Sequence, residues 1–191
     1  MKSAALAWFS GIALFLPGAA LAFQPLVTDD TGTQGAGGNQ LEYAYARSVD
    51  REPLAKTVTQ THGFVYTRGV TDTLDAAVGV SRVRVRAEAA EQGMGNPVAG
   101  LKWRFYDDEA SKLTIAFKPE LHFPVADGAE RRGLGSGTTN ASATLIATRE
   151  TGFGAVHANL ALATNRFAVA ANGEGQRGTL WRLSVAPVVE L

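Results

Sequence analysis

The sequence predicts an all-β protein, a transmembrane antiparallel up-and-down β-barrel with about eight strands in this chain. Three observations predict it. After the first 22 residues, apolar and polar side chains alternate in successive segments, which is the period of a strand. Glycine is frequent, with 21 residues, and punctuates these segments. The connections alternate between roughly 4 or 5 and roughly 7 to 15 residues, the pattern of membrane-spanning barrels.

The N-terminus has the pattern of a secretory signal peptide. Lys2 precedes an apolar run over residues 4–16, and small residues lead to Ala20-Leu21-Ala22. This pattern predicts export and cleavage after Ala22. We therefore expect a signal peptide (1–22), an N-terminal periplasmic segment (23–39) and a β-barrel domain (40–191), located in the outer membrane of a Gram-negative bacterium.

Composition narrows the class of exported protein. The chain has no cysteine, which excludes disulfide-stapled modules and thiolate chemistry. Lys and Arg together number 18, and so do Asp and Glu, so no global field favours nucleic acid. The expected partners are outer-membrane lipid and a small-molecule solute, with no nucleic acid and no cofactor. The sequence does not predict the oligomeric state.

Alternation and turn residues place the elements in order from residue 40 onward. The first strand has Leu41, Tyr43 and Tyr45 on one face. Seven connections separate the eight predicted strands, at residues 50–56, 69–73, 86–96, 107–111, 126–138, 150–153 and 164–178. Strands of this length suffice to cross a bilayer while tilted.

Three features depart from regular alternation. The second strand loses its alternation around Gly63, which predicts a β-bulge. Pro119 and Pro187 each imply a local irregularity, because proline removes a ladder donor. The third strand loses phase at residues 82–85, so the face of its arginines stays open.

The stretch from Leu113 to Val125 poses the question of orientation. Its apolar row faces either a soluble core or lipid, and its polar row faces the opposite way. A soluble barrel would have to bury the charged row or expose two tryptophans to water, so we expect the polar row to line a wet interior. The predicted lumen-lining residues are Glu42, Lys102, Arg104, Lys118, Glu120, His122, His157, Arg182 and Glu190. The predicted membrane-facing aromatics, placed toward strand ends, are Trp103, Phe105, Phe123 and Trp181.

Several short motifs resemble one known family. They are Gln24-Pro-Leu-Val-Thr-Asp-Asp-Thr-Gly-Thr-Gln-Gly35 with Gln40-Leu-Glu42, Gly69-Val-Thr-Asp-Thr-Leu-Asp75, Gly95-Asn96 before Gly100-Leu-Lys-Trp-Arg-Phe105, and Gly133-Leu-Gly-Ser-Gly137. Together they resemble the outer-membrane transporters grouped as the "MetA-pathway of phenol degradation" family. The resemblance covers most of the mature chain and implies a transporter-type barrel for small, aromatic or hydrophobic compounds.

The resemblance also bears on strand number. Family members are longer than this chain, which stops at Leu191 after an eighth strand and has no terminal aromatic residue. The resemblance therefore implies a C-terminally truncated form of a barrel with more strands. Eight strands are also a closable number. An eight-stranded interior is nearly filled by side chains, however, so strand number decides whether an open path fits.

Motifs for catalysis and metal binding are weak. His62, His122 and His157 lie on three different predicted strands without metal-ligand spacing, so we expect lumen or rim histidines. Asp29-Asp30 is expected to pin the N-terminal segment, and the acidic run 107–109 to be a solvated turn. Ser142 and His157, on neighbouring strands, are the one catalytic pairing that we consider. We expect no enzyme activity, no catalytic residues and no metal site.

The expected function is passive uptake of small compounds by an outer-membrane channel. Cationic residues concentrate on the fourth and fifth predicted strands, where the lumen charges either satisfy one another as a polar network or give the path a modest anion preference. A structural or adhesive outer-membrane barrel without transport is the alternative, and a soluble periplasmic lipocalin-like binding barrel is a weaker one.

Overall fold

A computed structural model describes residues 28–52, 55–87 and 89–189 of the chain. The predicted signal peptide with its predicted cleavage site after Ala22, residues 23–27 and the lumen candidate Glu190 lie outside the described residues.

One antiparallel sheet dominates the described chain. Each pair of neighbouring strands is antiparallel, and the strand order follows the sequence. The strands are β1 (Asn39–Glu52), β2 (Ala55–Gly69), β3 (Leu74–Arg86), β4 (Ala90–Met94), β5 (Val98–Asp108), β6 (Leu113–His122), β7 (Asn140–Thr151), β8 (Gly154–Thr164) and β9 (Thr179–Val189). The all-β, antiparallel, up-and-down prediction is confirmed.

The sheet has eight strand positions curled into a half-barrel. β4 and β5 occupy one position, because both pair with β3 and only residues 95–97 separate them. Within the described residues β1 pairs with β2 alone and β9 with β8 alone. Eight strands at this curvature leave two free edges, so they do not close on themselves.

The two faces of the half-barrel differ sharply in chemistry. Twenty-six large apolar side chains of the described chain are exposed, whereas five apolar residues are buried. Most of the exposed ones lie on the convex face, where Phe117, Leu145, Leu160 and Leu183 form one row across four paired strands. Polar and ionic side chains occupy most of the concave face, and toward the loop end the convex face becomes cationic. The hydrophobic core of a soluble protein is replaced here by an apolar outer surface.

Two predicted loops are paired strands in the structure. β1 ends at Glu52 and β2 begins at Ala55, so most of the predicted loop 50–56 belongs to a hairpin. β4 lies inside the predicted loop 86–96. These predictions were wrong because polar residues pair as readily as apolar ones when a hairpin extends beyond its apolar band. The predicted loops were bounded by polar residues, so the lengths of these two connections were overestimated.

The other two long connections carry short helices. α1 (Asp127–Arg131) follows β6, and α2 (Ala170–Gly173) follows β8. Both lie at the end of the half-barrel opposite the short turns after β2, β5 and β7. We call these ends the loop end and the turn end. No helix among the described residues is long and apolar enough to cross a membrane.

The irregularities of the ladder differ in part from those predicted. The pairing through Gly63 is continuous on both sides, so the predicted bulge is absent there. A register shift occurs instead between Arg104 and Tyr106. The β5–β6 ladder lacks pairs opposite Lys118 and Pro119, in agreement with a missing proline donor. Pro187 pairs in continuous register on the last strand of the sheet, where its missing N–H is tolerated.

β3 changes character two thirds of the way along its length. Val78 and Val80 lie on the convex face, and Arg82, Arg84 and Arg86 continue the same face toward the loop end. The apolar residues Val83 and Val85 then take the concave face. Alternation is therefore unbroken, but its polarity is inverted, which explains the apparent loss of phase in the sequence.

Candidate functional site

The N-terminal segment lies across the concave face near the turn end. Residues 28–38, which we call the docked segment, form hydrogen bonds or ion pairs with six strands, β2, β3, β5, β6, β7 and β8. The N–H of Gln34 donates to both carboxylate oxygens of Asp75 on β3, at 3.1 Å each. The N–H of Thr31 donates to Thr148 on β7 at 3.2 Å, and the hydroxyls of Thr31 and Thr114 bond each other. The docked segment thus covers part of the surface that the sequence assigns to the lumen.

Asp29 is the ionic centre of this contact. Lys102 of β5 and Lys118 of β6 donate to its two carboxylate oxygens at 3.0 Å each. Lys102 also donates to the carbonyl oxygens of Asp30 and Gly32, both at 3.1 Å. The backbone N–H and C=O of Asp29 contact the buried amide of Asn159 on β8, at 2.6 and 2.9 Å. The prediction that Asp29-Asp30 pins the N-terminal segment is confirmed for Asp29.

The pKa of Asp29 follows from these neighbours. Burial raises the pKa of this carboxyl, but the charges and hydrogen bonds of Lys102 and Lys118 lower it by more, so it lies below its ordinary value. Asp29 is therefore ionised at neutral pH. Asp29 and Glu120, which contacts Lys118, together balance the charges of the two lysines.

A glycine makes the close approach of the docked segment possible. The backbone of Gly69, at the end of β2, exchanges hydrogen bonds of 2.9 Å with Gly37 and Gly38. A Cβ atom on Gly69 would lie 1.7 Å from the carbonyl oxygen of Gly35. Any side chain at residue 69 would therefore displace the docked segment.

Glu120, His122 and Ser142 form a polar cluster toward the loop end of the concave face. The hydroxyl of Ser142 lies 3.2 Å from a carboxylate oxygen of Glu120 and 3.3 Å from Nε2 of His122. Glu120 also lies 3.8 Å from the ammonium of Lys118. The carboxylate contacts the serine and not the second ring nitrogen of the histidine, so it does not orient the imidazole as a catalytic triad does.

The considered pairing of Ser142 with His157 is not formed. His157 bonds the hydroxyl of Thr148 at 2.9 Å, and Ser142 pairs with Ala163, six residues further along β8. That separation is roughly 20 Å at the rise of a strand. Among the described residues, no group of three His, Asp or Glu side chains is placed to hold a metal ion.

The remaining predicted residues fall on the expected faces. Glu42, Arg104 and Arg182 occupy concave positions of β1, β5 and β9, and Arg104 lies 3.7 Å from Asp107. Trp103, Phe105, Phe123 and Trp181 are exposed on convex positions. Trp103 lies in the middle of β5, however, and not toward its end. His62 is the exception, because it pairs with Tyr45 and so lies on the convex face and not toward the predicted lumen.

The long loops form a cover over the concave face at the loop end. Residues 123–139 and 165–178, which we call the loop cover, contact β3, β4 and each other. Leu134 is 2 % exposed, and its side chain fills the space beside Gly93 of β4. Asn96 holds the chain nearby through Ser136, with hydrogen bonds of 2.7 and 2.8 Å. Leu134 is the apolar partner that explains why Val83 and Val85 face inward.

Glu130 of α1 joins the two halves of the loop cover. It is 1 % exposed, and its carboxylate accepts hydrogen bonds from the N–H of Ala168 at 3.1 Å and of Val169 at 2.9 Å. It also accepts from Gly137 and from the side chain of Asn172. Burial raises the pKa of Glu130, but these hydrogen bonds outweigh it, and the pKa lies below its ordinary value. Sequence reasoning missed Glu130, because an acidic residue in a polar loop carries no signal of burial.

We expect Glu130→Gln to loosen the loop cover. Glutamine has one acceptor oxygen, and its amide group would face N–H donors, so part of the junction would be lost. Limited trypsin digestion of the detergent-solubilised protein should then cleave after Arg166 and Arg177 about tenfold faster than in wild type. Asp127→Asn, an exposed change on the same helix, serves as the control. Equal cleavage rates for both variants would contradict the role given to Glu130.

No protein-family model matches this chain, and a search of curated proteins found no match. The resemblance to the "MetA-pathway of phenol degradation" family therefore stays a prediction.

Proposed function

We propose that this protein is an outer-membrane β-barrel component that forms a path for passive uptake of small solutes. The observation that carries the proposal is the inverted distribution of side chains. A continuous convex apolar surface is stable against acyl chains and unfavourable in water. Ionic groups on the concave face suit an enclosed aqueous space.

The curvature of the sheet supports a path of useful width. Eight strand positions cover half of a barrel. A closed barrel of this curvature needs about sixteen strands, and barrels of that size enclose an aqueous channel. The free edges of β1 and β9 are the places where further strands would pair. A closed barrel of eight strands would leave little room for a solute path, because side chains nearly fill its interior.

One exposed charge on the concave face, that of Arg182, supports a modest preference for anions. Lys102 and Lys118 share Asp29, and Arg182 is exposed on a concave position of β9. Asp29 and Glu120 balance Lys102 and Lys118, whereas Arg182 forms no ion pair within the described part of the chain and raises the local concentration of anions beside it. The docked segment and the loop cover narrow the concave space from its two ends, so conductance should be small until one of them moves.

Reconstitution of the detergent-purified full chain tests the proposal. In planar bilayers we expect discrete conductance steps and a reversal potential shifted toward the anion equilibrium potential. In liposomes we expect faster entry of small aromatic carboxylates than in protein-free vesicles. Insertion without conductance or solute entry would reject uptake. Migration that does not change on heating in detergent would reject the barrel itself.

A structural barrel without transport is the second candidate. The docked segment and the loop cover favour this candidate, because together they can close the concave space permanently at both ends. This candidate predicts stable membrane insertion with no conductance in wild type or in variants that release the docked segment. The side-chain distribution lends no support to a lipocalin-like soluble barrel, which needs an apolar interior.

A further inference from the structure

Arginines on the convex face form a second candidate site, separate from the solute path. Arg82, Arg84 and Arg86 occupy alternate positions of β3, so their side chains leave the same face of the sheet. A shallow open cavity of about 300 Å³ lies among them. Its lining residues are Gln60, His62, Arg82, Arg84, Arg86 and Gln92. We call this surface the cationic patch.

The cationic patch has no acidic partner in the described part of the chain. Neither Arg82, Arg84 nor Arg86 takes part in an ion pair there. Arg47 of β1 pairs with Gln60 and adds a fourth guanidinium to the same face. Arginines that serve stability or solubility normally alternate with carboxylates, whereas an uncompensated row suits an anionic ligand.

The cationic patch begins where the apolar surface ends. Tyr45, His62, Arg82 and Met94 are direct partners in one row, and Val80 and Val78 lie below that row on β3. The tyrosine hydroxyls already carry polar partners at this level, with Tyr43 2.7 Å from His62 and Gln60 2.8 Å from Tyr45. Along the direction from the acyl chains to the headgroups of a bilayer, amphipathic aromatic side chains are expected first and arginines next.

We infer that the cationic patch binds the phosphate groups of an anionic lipid headgroup, that of the phosphorylated glycolipid of the outer leaflet, lipopolysaccharide. The inference rests on the proposed function, because short turns of outer-membrane barrels face the periplasm and longer loops face outward, which puts the loop end at the outer leaflet. Guanidinium groups bind phosphate through paired N–H donors, and three of them at alternate positions can hold more than one phosphate. The patch faces sideways from the barrel wall, so a lipid reaches it while its acyl chains stay against Val78 and Val80.

Inversion of the β3 pattern supports a lipid over free phosphate. Below the row of Arg82 the convex face is apolar, and above it the convex face is cationic and the concave face apolar. A soluble anion would need the arginines alone. A membrane lipid needs an apolar surface for its acyl chains directly beside cationic groups for its headgroup. β3 has both on consecutive positions of its convex face.

The test compares lipid binding by two triple variants of the full chain in phosphatidylcholine vesicles with and without lipid A. We expect R82Q/R84Q/R86Q to bind lipid A about a hundredfold more weakly than wild type, because each arginine near an anionic surface contributes to binding. R131Q/R166Q/R177Q removes the same charge from exposed positions of the loop cover and should bind as wild type does. Heat-modifiable migration of each protein reports insertion.

Each outcome separates the inference from the proposed function. Insertion of all three proteins with equal lipid A binding would overturn the cationic patch and leave the barrel standing. Failure of the wild type to insert would overturn the proposed orientation and the inference with it. Displacement of lipid A by millimolar inorganic phosphate would identify a site for the free anion and overturn the lipid assignment. Loss of lipid A binding in the first variant alone supports the inference.

Discussion

Leu160→Arg is expected to lower the free energy of unfolding by about 2–4 kcal/mol in lipid vesicles, the cost of an arginine on the lipid face at the bilayer midplane. Leu160 lies at the middle of β8 on the convex face, between Leu145 and Leu183 of the paired strands. It is 45 % exposed. Urea titration of the vesicle-inserted protein, followed by tryptophan fluorescence, measures the change.

A matched change on the other face isolates the role of lipid. Ala163 lies three residues along the same strand on the concave face and pairs with Ser142. Ala163→Arg puts the same side chain near Glu120, which contacts Ser142. We expect this variant to stay within about 1 kcal/mol of wild type, because charge on a lumen face is ordinary in barrels. If the convex face met water, Leu160→Arg would be nearly neutral, and that result would contradict the membrane proposal.

The faces of the strands could be predicted from the sequence because alternation has a fixed period. A strand was expected from Leu113 to Val125; β6 ends at His122, with Lys118 and His122 on the concave face as predicted. The same alternation correctly predicted that Glu42 and Arg182 lie on the concave face. Strand ends were harder to predict, because extension of β1 and β2 beyond their aromatic residues uses polar side chains that also occur in loops.

Contacts made across the sheet could not be predicted. Asp29 meets Lys102 and Lys118, which are 73 and 89 residues away in the sequence. Burial of Glu130 depends on a loop that begins more than thirty residues later. The inward turn of Val83 depends on Leu134, whose position is set by tertiary packing. The face on which the β3 arginines lie therefore depends on contact with Leu134, which the local sequence does not reveal.

Asp29→Asn is the variant expected to change conduction most. Asparagine keeps the shape of the side chain but leaves Lys102 and Lys118 without their shared charge. The three side chains are 16 to 31 % exposed, so the loss falls between that of a surface pair and that of a buried pair. We expect docking of the N-terminal segment to weaken by about 2 kcal/mol. In planar bilayers the variant should open more often and to larger steps than wild type.

Segment motion can be measured independently of conductance. The chain has no cysteine, so a spin label on Ala36→Cys, an exposed position of the docked segment, is specific. In wild type the label should be immobilised at neutral pH. Because the folded pKa of Asp29 lies below its ordinary value, docking stability is present above about pH 4 and is lost as pH falls through the folded pKa. In Asp29→Asn the label should be mobile at neutral pH, and this pH step should be absent.

Steric release of the docked segment provides the decisive comparison. Gly69→Ala would put its Cβ 1.7 Å from the carbonyl oxygen of Gly35 and change no charge. It should mobilise the label and raise conductance as Asp29→Asn does. Gly152→Ala, at a turn glycine with open space around it, should leave both unchanged. If both release variants mobilise the label without raising conductance, the docked segment does not limit the path, and the structural barrel becomes the better description of this protein.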